Sequence, residues 1–179
     1  MSKRVVVIST SMRPNSNSEK LAEEFAKGAN EAGNHVEVIS LRGKKIGFCI
    51  GCLACQSSGS CVINDDALEI TEKVLNADVV AFATPIYYYE MSGQMKTLID
   101  RMNSMYPKDY KFRDIYFMAS AAEDEKNVPE RAISGLQGWI DCYTKAELKG
   151  TVFCGGVDSP GEIAGNDKLN DAYEMGRNI

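Results

Sequence analysis

Three stretches of this chain gather side chains that can do chemistry. The first, Ser9 to Ser18, holds five hydroxyls, two side-chain amides and one guanidinium. An apolar run from Arg4 to Ile8 leads into it as a strand, and a helix leaves it with Ser16 and Glu19 at capping-box spacing. A strand ending in donors at a helix N-terminus is an anion site, because backbone N–H groups, the positive end of the dipole and the side chains face one place. The second stretch, Thr84 to Gly93, breaks the local pattern with Pro85 and three consecutive tyrosines. Here Ile86, Tyr87, Tyr88, Tyr89 and Met91 offer apolar and aromatic surface to a planar ring. The third places Cys49, Cys52 and Cys55 in two consecutive C-x-x-C spacings with Cys61 beyond them. Three thiolates can then converge, the fourth can close a shell, and Gly51 and Gly59 ease the turns.

A phosphate in the first stretch and a flat group against the second make a mononucleotide. Arg13 offers a charge-assisted bond to the dianion, with Ser11, Ser16, Asn17 and Ser18 as neutral donors. Neither G-x-G-x-x-G nor G-x-x-x-x-G-K-S/T occurs, so a monophosphate fits better than a dinucleotide or a nucleoside triphosphate. Blander readings stand beside these: a polar strand-to-helix loop, and tyrosines that pack in a core or an interface. For the cysteine run a metal cluster, zinc, free thiols and a disulfide all remain open. Cys142 and Cys154, at a helix end and in a strand, read as inert buried thiols. The single histidine, His35, reads as a surface residue at a helix-to-strand junction, so a serine triad has no base. Asp65 or Asp66 caps a helix rather than forming a carboxylate pair, and Trp139 reads as packing.

The elements around these stretches follow from periodicity. Leu21, Ala22, Phe25, Ala29 and Ala32 share a face of a helix over 19–32, stopped at Gly33. Val36 to Leu41 reads as a second strand and Arg42 to Asp65 as an irregular loop. A helix carrying Ala67, Ile70, Val74 and Leu75 leads to the apolar strand Val79 to Ala83, which Pro85 then turns away from. Helices from Gln94, from Pro129 to near Thr144, and from Asp167 to Asn178 alternate with strands Ile115 to Ala119 and Thr151 to Cys154. Five βα units predict a parallel sheet between helix layers. The flavodoxin-like order 2-1-3-4-5 sets the ligand crevice beyond the ends of strands one and three, where the first two stretches lie.

Length and composition narrow the classes. A chain of 179 residues is expected to form one domain, 1–179, with a cysteine-rich insertion at about 42–65. A net charge of −5 without a basic stripe excludes nucleic acid and anionic membranes as main partners. No apolar run approaches the about 18 residues of a membrane span, and polar residues after Ile8 mark a strand rather than a signal peptide. A cytoplasmic protein is expected. Four clustered cysteines in a reducing compartment point to metal or redox chemistry.

The stretch 11–18, the segment 84–101 and the cysteine run together resemble the NADPH-dependent FMN reductase family, in the branch of the iron–sulfur flavoproteins and their clusterless relatives. The resemblance spans about residues 3–157, and Met12 stands where relatives often have proline. It implies FMN with its phosphate on Ser11, Arg13, Ser16, Asn17 and Ser18, and its ring against Pro85, Ile86, Tyr87, Tyr88 and Ser92. Ser120 to Ala122 would close the far edge, and Cys49, Cys52, Cys55 and Cys61 are candidate ligands of a 4Fe–4S cluster at the same end of the sheet as the flavin. No side chain need be catalytic, because the flavin carries the chemistry. The implied activity takes electrons from NAD(P)H to a flavin, quinone, nitro or azo compound, or to a ferredoxin-like protein. A homodimer or larger assembly is expected, with Tyr87–Tyr89 near the partner's flavin. Rival readings are a flavodoxin-like electron carrier and a cysteine-based redox or metal sensor with a vestigial flavin site.

Overall fold

A computed structural model of the protein describes residues 2–179. An interior strand of the sheet, β1 (Arg4–Ser9), is buried from Val5 onward, as expected of an apolar run covered on both faces. The other strands are β2 (His35–Ser40), β3 (Val79–Tyr87), β4 (Glu90–Met91), β5 (Asp114–Ser120) and β6 (Glu147–Cys154). The helices are α1 (Asn17–Glu31), α2 (Ala54–Ser58), α3 (Asp66–Asn76), α4 (Gly93–Arg101), α5 (Glu130–Ile140) and α6 (Asp167–Arg177), with a 3-10 turn at Met102–Met105.

The sheet has six strands rather than the five expected. The order is β2-β1-β3-β5-β6, with β4 off this path and paired only to β3. The pairs β1–β2, β1–β3, β3–β5 and β5–β6 are all parallel, and β4 runs antiparallel to the end of β3. The extra strand arises because β3 does not stop at Ala83. It runs on through Pro85, which pairs with Ser120. Pro85 lies past the last β1 pair, Ser9 with Ala83, where β3 has no neighbour on that side and a missing N–H breaks no ladder.

Side chains alternate between two cores, one per face. Val5, Val7, Val79, Ala81 and Ala83 pack with Leu21, Ala22 and Phe25 of α1 and Ala172 of α6. Val6, Ile8, Val80, Phe82 and Phe117 pack with α3, α4 and α5 through Val74, Leu98 and Leu136. Trp139 sits in the second core, edge-on to Phe82 and stacked on Phe112. α1 and α6 cross backbone to backbone. A Cβ on Gly28 would stand 2.0 Å from the Tyr173 carbonyl oxygen, and one on Gly176 would stand 2.0 Å from that of Phe25.

Two boundaries differ in ways that bear on the thiols. Residues 42–65 contain α2, one short helix inside the expected loop. α5 ends at Ile140 instead of near Thr144, so Cys142 falls in a turn and is exposed rather than buried. Cys154 is buried, and that burial pushes its thiol up from the usual value. No helix among the described residues is long and apolar enough to cross a membrane.

Candidate functional site

The loop from β1 to α1 is built to leave N–H groups free. Asn15 takes a left-handed backbone, φ +53°, and turns the chain into α1. Ser16 is the N-cap, its Oγ accepting from the Glu19 N–H at 3.1 Å. The second half of the capping box does not form. The Glu19 carboxylate instead pairs with Arg42 at 3.1 and 3.3 Å, and Arg42 also donates to the Arg13 carbonyl at 3.0 Å. The N–H groups of Asn17 and Ser18, in the first turn, have no acceptor within the helix. Ser11, Ser16 and Ser18 are buried around that turn.

The second wall is a strained hairpin. Tyr87 pairs with Glu90 across a two-residue turn, and both central residues, Tyr88 and Tyr89, have positive φ (+51° and +65°). That is a type I′ turn, which normally uses Asn-Gly. Pro85, Ile86, Tyr87 and Tyr88 line the cavity, and Tyr88 is 98% exposed. Ser92 does not line it. It caps α4, accepting from the Met95 N–H at 3.3 Å, and its Oγ lies 3.0 Å from Thr10 Oγ1. Thr10 in turn donates to the Ala83 carbonyl, and Thr84 Oγ1 accepts from the Ser92 N–H. These buried hydroxyls fasten the first loop to the second, so Ser92 positions the walls from behind.

A third wall, formed by the β6–α6 loop, adds residues beyond those expected at the site. Val157, Asp158 and Pro160 line the cavity together with Ser120, Ala121, Ala122 and Glu123. The Asn17 side chain holds this loop, donating to the Ser159 carbonyl at 3.0 Å and accepting from the Ile163 N–H at 3.2 Å. Asn17 therefore presents its backbone N–H, not its amide, to the cavity. Arg13 reaches across and donates to the Asp158 carbonyl at 2.9 Å. The Gly155-Gly156 pair after β6 was the available signal: it lies at the same sheet end, and Gly155 passes the Asp124 backbone too closely for any Cβ.

The three walls enclose about 320 Å³. Of the eleven residues expected here, ten line the space and Ser92 alone stands behind it. A larger cleft of about 580 Å³ lies beside Arg4, His35 and Lys73, but Lys73 is already paired with Glu37 and Glu69.

The cysteine run forms a second, smaller site. Gly51, Leu53 and Gly59 have left-handed backbones, and α2 lies between the last two. Cys49, Cys52, Cys55 and Cys61 all line one cavity of about 20 Å³. Two sulfurs accept hydrogen bonds, Cys49 from the Gly51 N–H at 3.5 Å and Cys55 from Asn103 Nδ2 at 3.4 Å. Among the described residues no three His, Cys, Asp or Glu side chains converge as ligands of a single metal ion would. The loop runs along α4, so the thiols meet Asp100, Arg101 and Asn103 at its C-terminal end. The nine residues of α4, roughly 13 Å, separate that end from Ser92, which stands behind the cavity of about 320 Å³. Burial would weaken the Arg101 guanidinium's hold on its proton, but its bonds to Asp65 and the nearby Cys61 sulfur more than reverse that, leaving it above the usual value. Burial likewise opposes ionisation of Asp65, and its bonds to Arg101 and to the Gly47 and Ala67 N–H groups outweigh it, leaving the carboxyl below the usual range.

Comparisons with known proteins fall on the same segments. Over 99 residues the chain is 38% identical to an iron–sulfur flavoprotein of Archaeoglobus fulgidus, covering 55% of this chain and 45% of that one. It is 27% identical over 173 residues to the iron–sulfur flavoprotein of Methanosarcina thermophila, covering 96% of this chain and 87% of the other. The chain thus spans about half the length of the Archaeoglobus relative. Among solved structures, the NAD(P)H:quinone oxidoreductase from Methanothermobacter marburgensis superposes with a TM-score of 0.76 at 22% identity, covering 99% of this chain and 96% of that one. That likeness shows the flavodoxin-like fold. Residues 3–129 match the NADPH-dependent FMN reductase family, a stretch that takes in the anion loop, the cysteine run and the tyrosine hairpin, and on that match the chain belongs to this family.

Proposed function

We propose that the protein is an FMN-dependent oxidoreductase that takes electrons from NAD(P)H and passes them to a flavin, quinone, nitro or azo compound, or to a protein acceptor. One observation carries the reading: the cavity joins free N–H groups and buried hydroxyls at the start of α1 to an apolar and aromatic wall at 85–88. Those residues fit a mononucleotide at both ends. Bound FMN would accept two electrons from the nicotinamide and release them to the acceptor. The Asn17 and Ser18 N–H groups, the hydroxyls of Ser11, Ser16 and Ser18 and the Arg13 guanidinium would hold the phosphate dianion. Pro85 to Tyr88 would bear on one side of the ring, and Ser120 to Ala122 would close its far edge. Tyr88, free in solvent, suits a nicotinamide or a second copy of the chain, and a homo-oligomer in the cytoplasm completes the reading.

The second reading adds the thiols. Four cysteines around one cavity, two already accepting N–H bonds, supply the donor set of a 4Fe–4S cluster, whose irons spread the ligands wider than one zinc ion does. The cavity of about 20 Å³ would open to take it. The protein would then serve a ferredoxin-like acceptor, as an iron–sulfur flavoprotein.

Anaerobic purification with iron, sulfide, zinc and flavin assays, followed by stopped-flow mixing with NADPH or NADH, separates these outcomes. Rapid bleaching of bound flavin by NADPH or NADH supports the reductase, and a flavin that stays oxidised with both refutes it. Arg13→Ala is expected to weaken FMN binding about 10- to 100-fold, the loss of one charge-assisted bond. Unchanged affinity by fluorescence titration would remove Arg13 from the phosphate site.

A further inference from the structure

We propose that Arg101 is a positioning residue that clamps both ends of the cysteine loop and sets a fixed positive charge against the four-thiol cavity. The proposal rests on reading that cavity as the seat of a 4Fe–4S cluster. The Arg101 side chain is fully buried at the end of α4. Its Nη1 donates to the Gly47 carbonyl at 2.8 Å and to Asp65 Oδ2 at 2.6 Å, and its Nη2 to the Ile63 carbonyl at 2.9 Å and to Asp65 Oδ1 at 3.0 Å. Gly47 precedes Cys49 by two residues, and Ile63 follows Cys61 by two. One planar fork therefore holds the chain on entry to the cysteine run and on exit from it.

Besides this fork, the loop is held by bonds from the Gly47 N–H to Asp65 and from Asn103 to the Cys55 sulfur. Phe48, Ile50, Leu53 and Val62 are all exposed, so the run has no apolar core of its own, and three of its residues carry left-handed backbones. Arg101 lines the thiol cavity whereas Asp65 does not. The guanidinium thus faces the sulfurs while its counter-ion lies behind it. One donor remains: Nε–H is buried and has no acceptor among the described residues. A buried donor without a partner is costly, and a thiolate or cluster sulfur is the acceptor this wall lacks. Cluster reduction potentials respond to net charge and to hydrogen bonds on the sulfurs. Reduction adds one electron, so a fixed cation favours the reduced state and raises the potential. Lysine cannot replace the fork, because an ammonium lacks the planar pair of donors.

The test compares the wild-type chain with Arg101→Met and Arg101→Lys. In the FMN-loaded, iron-free proteins, hydrogen exchange of residues 47–63 is expected to quicken on the order of 100-fold in Arg101→Met, with the lysine variant between. FMN affinity, read by fluorescence, stays that of the wild type and shows that the fold is intact. After anaerobic reconstitution with iron and sulfide, Arg101→Met is expected to retain less of both. Its remaining cluster would titrate at a more negative potential, and Arg101→Lys, which keeps the charge, near the wild-type value. Equal exchange in all three chains overturns the clamp, and equal potentials overturn the electrostatic role. A wild-type chain that takes up no iron while Arg101→Met still frees the loop refutes the cluster reading and upholds the clamp.

Discussion

Tyr88 and Tyr89 hold backbone angles that side chains with a Cβ avoid, at φ +51° and +65°. Strain of this kind clusters at functional sites, where surrounding structure enforces it. Here the enforcement is visible: Tyr87 and Glu90 are paired across the turn, and Arg131 lies 5.9 Å from the centre of the Tyr89 ring. Tyr88 is 98% exposed, so its ring contributes no packing to the apoprotein. Replacing it with glycine removes the strain and is expected to stabilise the apoprotein by about 1 kcal/mol, or roughly 2–4 °C in Tm. FMN affinity or reduction by NADPH is expected to fall in the same variant. Calorimetry checks the first effect, and a lower Tm would refute the strain argument. The hydroxyls and guanidinium of 9–18 were legible as a candidate site because their types are conspicuous, and five residues of that stretch line one cavity. That Ser92 caps α4, and that Asn17 spends its amide on the β6–α6 loop, depends on partners far away in sequence.

At the scale of elements, α1 is both a wall of the cavity and half of a tight crossing with α6. Gly28 and Gly176 let the two backbones touch, and an added Cβ at either would stand 2.0 Å from a carbonyl oxygen. Gly28→Ala and Gly176→Ala are each expected to destabilise the protein by about 1–3 kcal/mol, because overpacking forces the helices apart. Gly138→Ala, in α5 with nothing within 4 Å of its Cβ, is the control and gains up to about 1 kcal/mol from helix propensity. Urea unfolding of the three variants checks this, and three equal values would show that the crossing is not tight. The helices could be placed from their apolar stripes to within a few residues. β4 could not, since its turn carries two tyrosines where a hairpin signal would need Asn-Gly.

For the whole molecule, the Arg101–Asp65 pair links pH to global stability. Asp65 ionises more readily in the folded protein than in the unfolded chain. A carboxyl depressed in this way contributes stability that is fully present above its unfolded pKa and is lost as pH falls through its folded value. Asp65→Asn keeps an N-cap for α3 and removes the charge. The stability gap between wild type and Asp65→Asn is therefore expected to be constant near neutral pH and to shrink below about pH 4. Urea midpoints measured across that range decide it, and a gap that widens in acid would reverse the assignment. The molecule's two cores, one on each face of the sheet, also account for the near-continuous apolar strands.

The sequence by itself determined the layered α/β architecture, the order of the parallel strands, the family and the three segments proposed to carry chemistry. Those properties reside in local periodicity and in runs of residue types, which a linear reading captures. Only the tertiary structure decided that β3 extends through Pro85 into a hairpin, that the β6–α6 loop forms a third wall, and that the thiols meet the C-terminal end of α4. It also decided the use of Arg101, which reads in sequence as one more basic residue at a helix C-terminus. Its partners Gly47, Ile63 and Asp65 lie 36 to 54 residues away. Contacts between segments so far apart leave no periodicity in the chain, because each partner's type is ordinary until the fold brings them together.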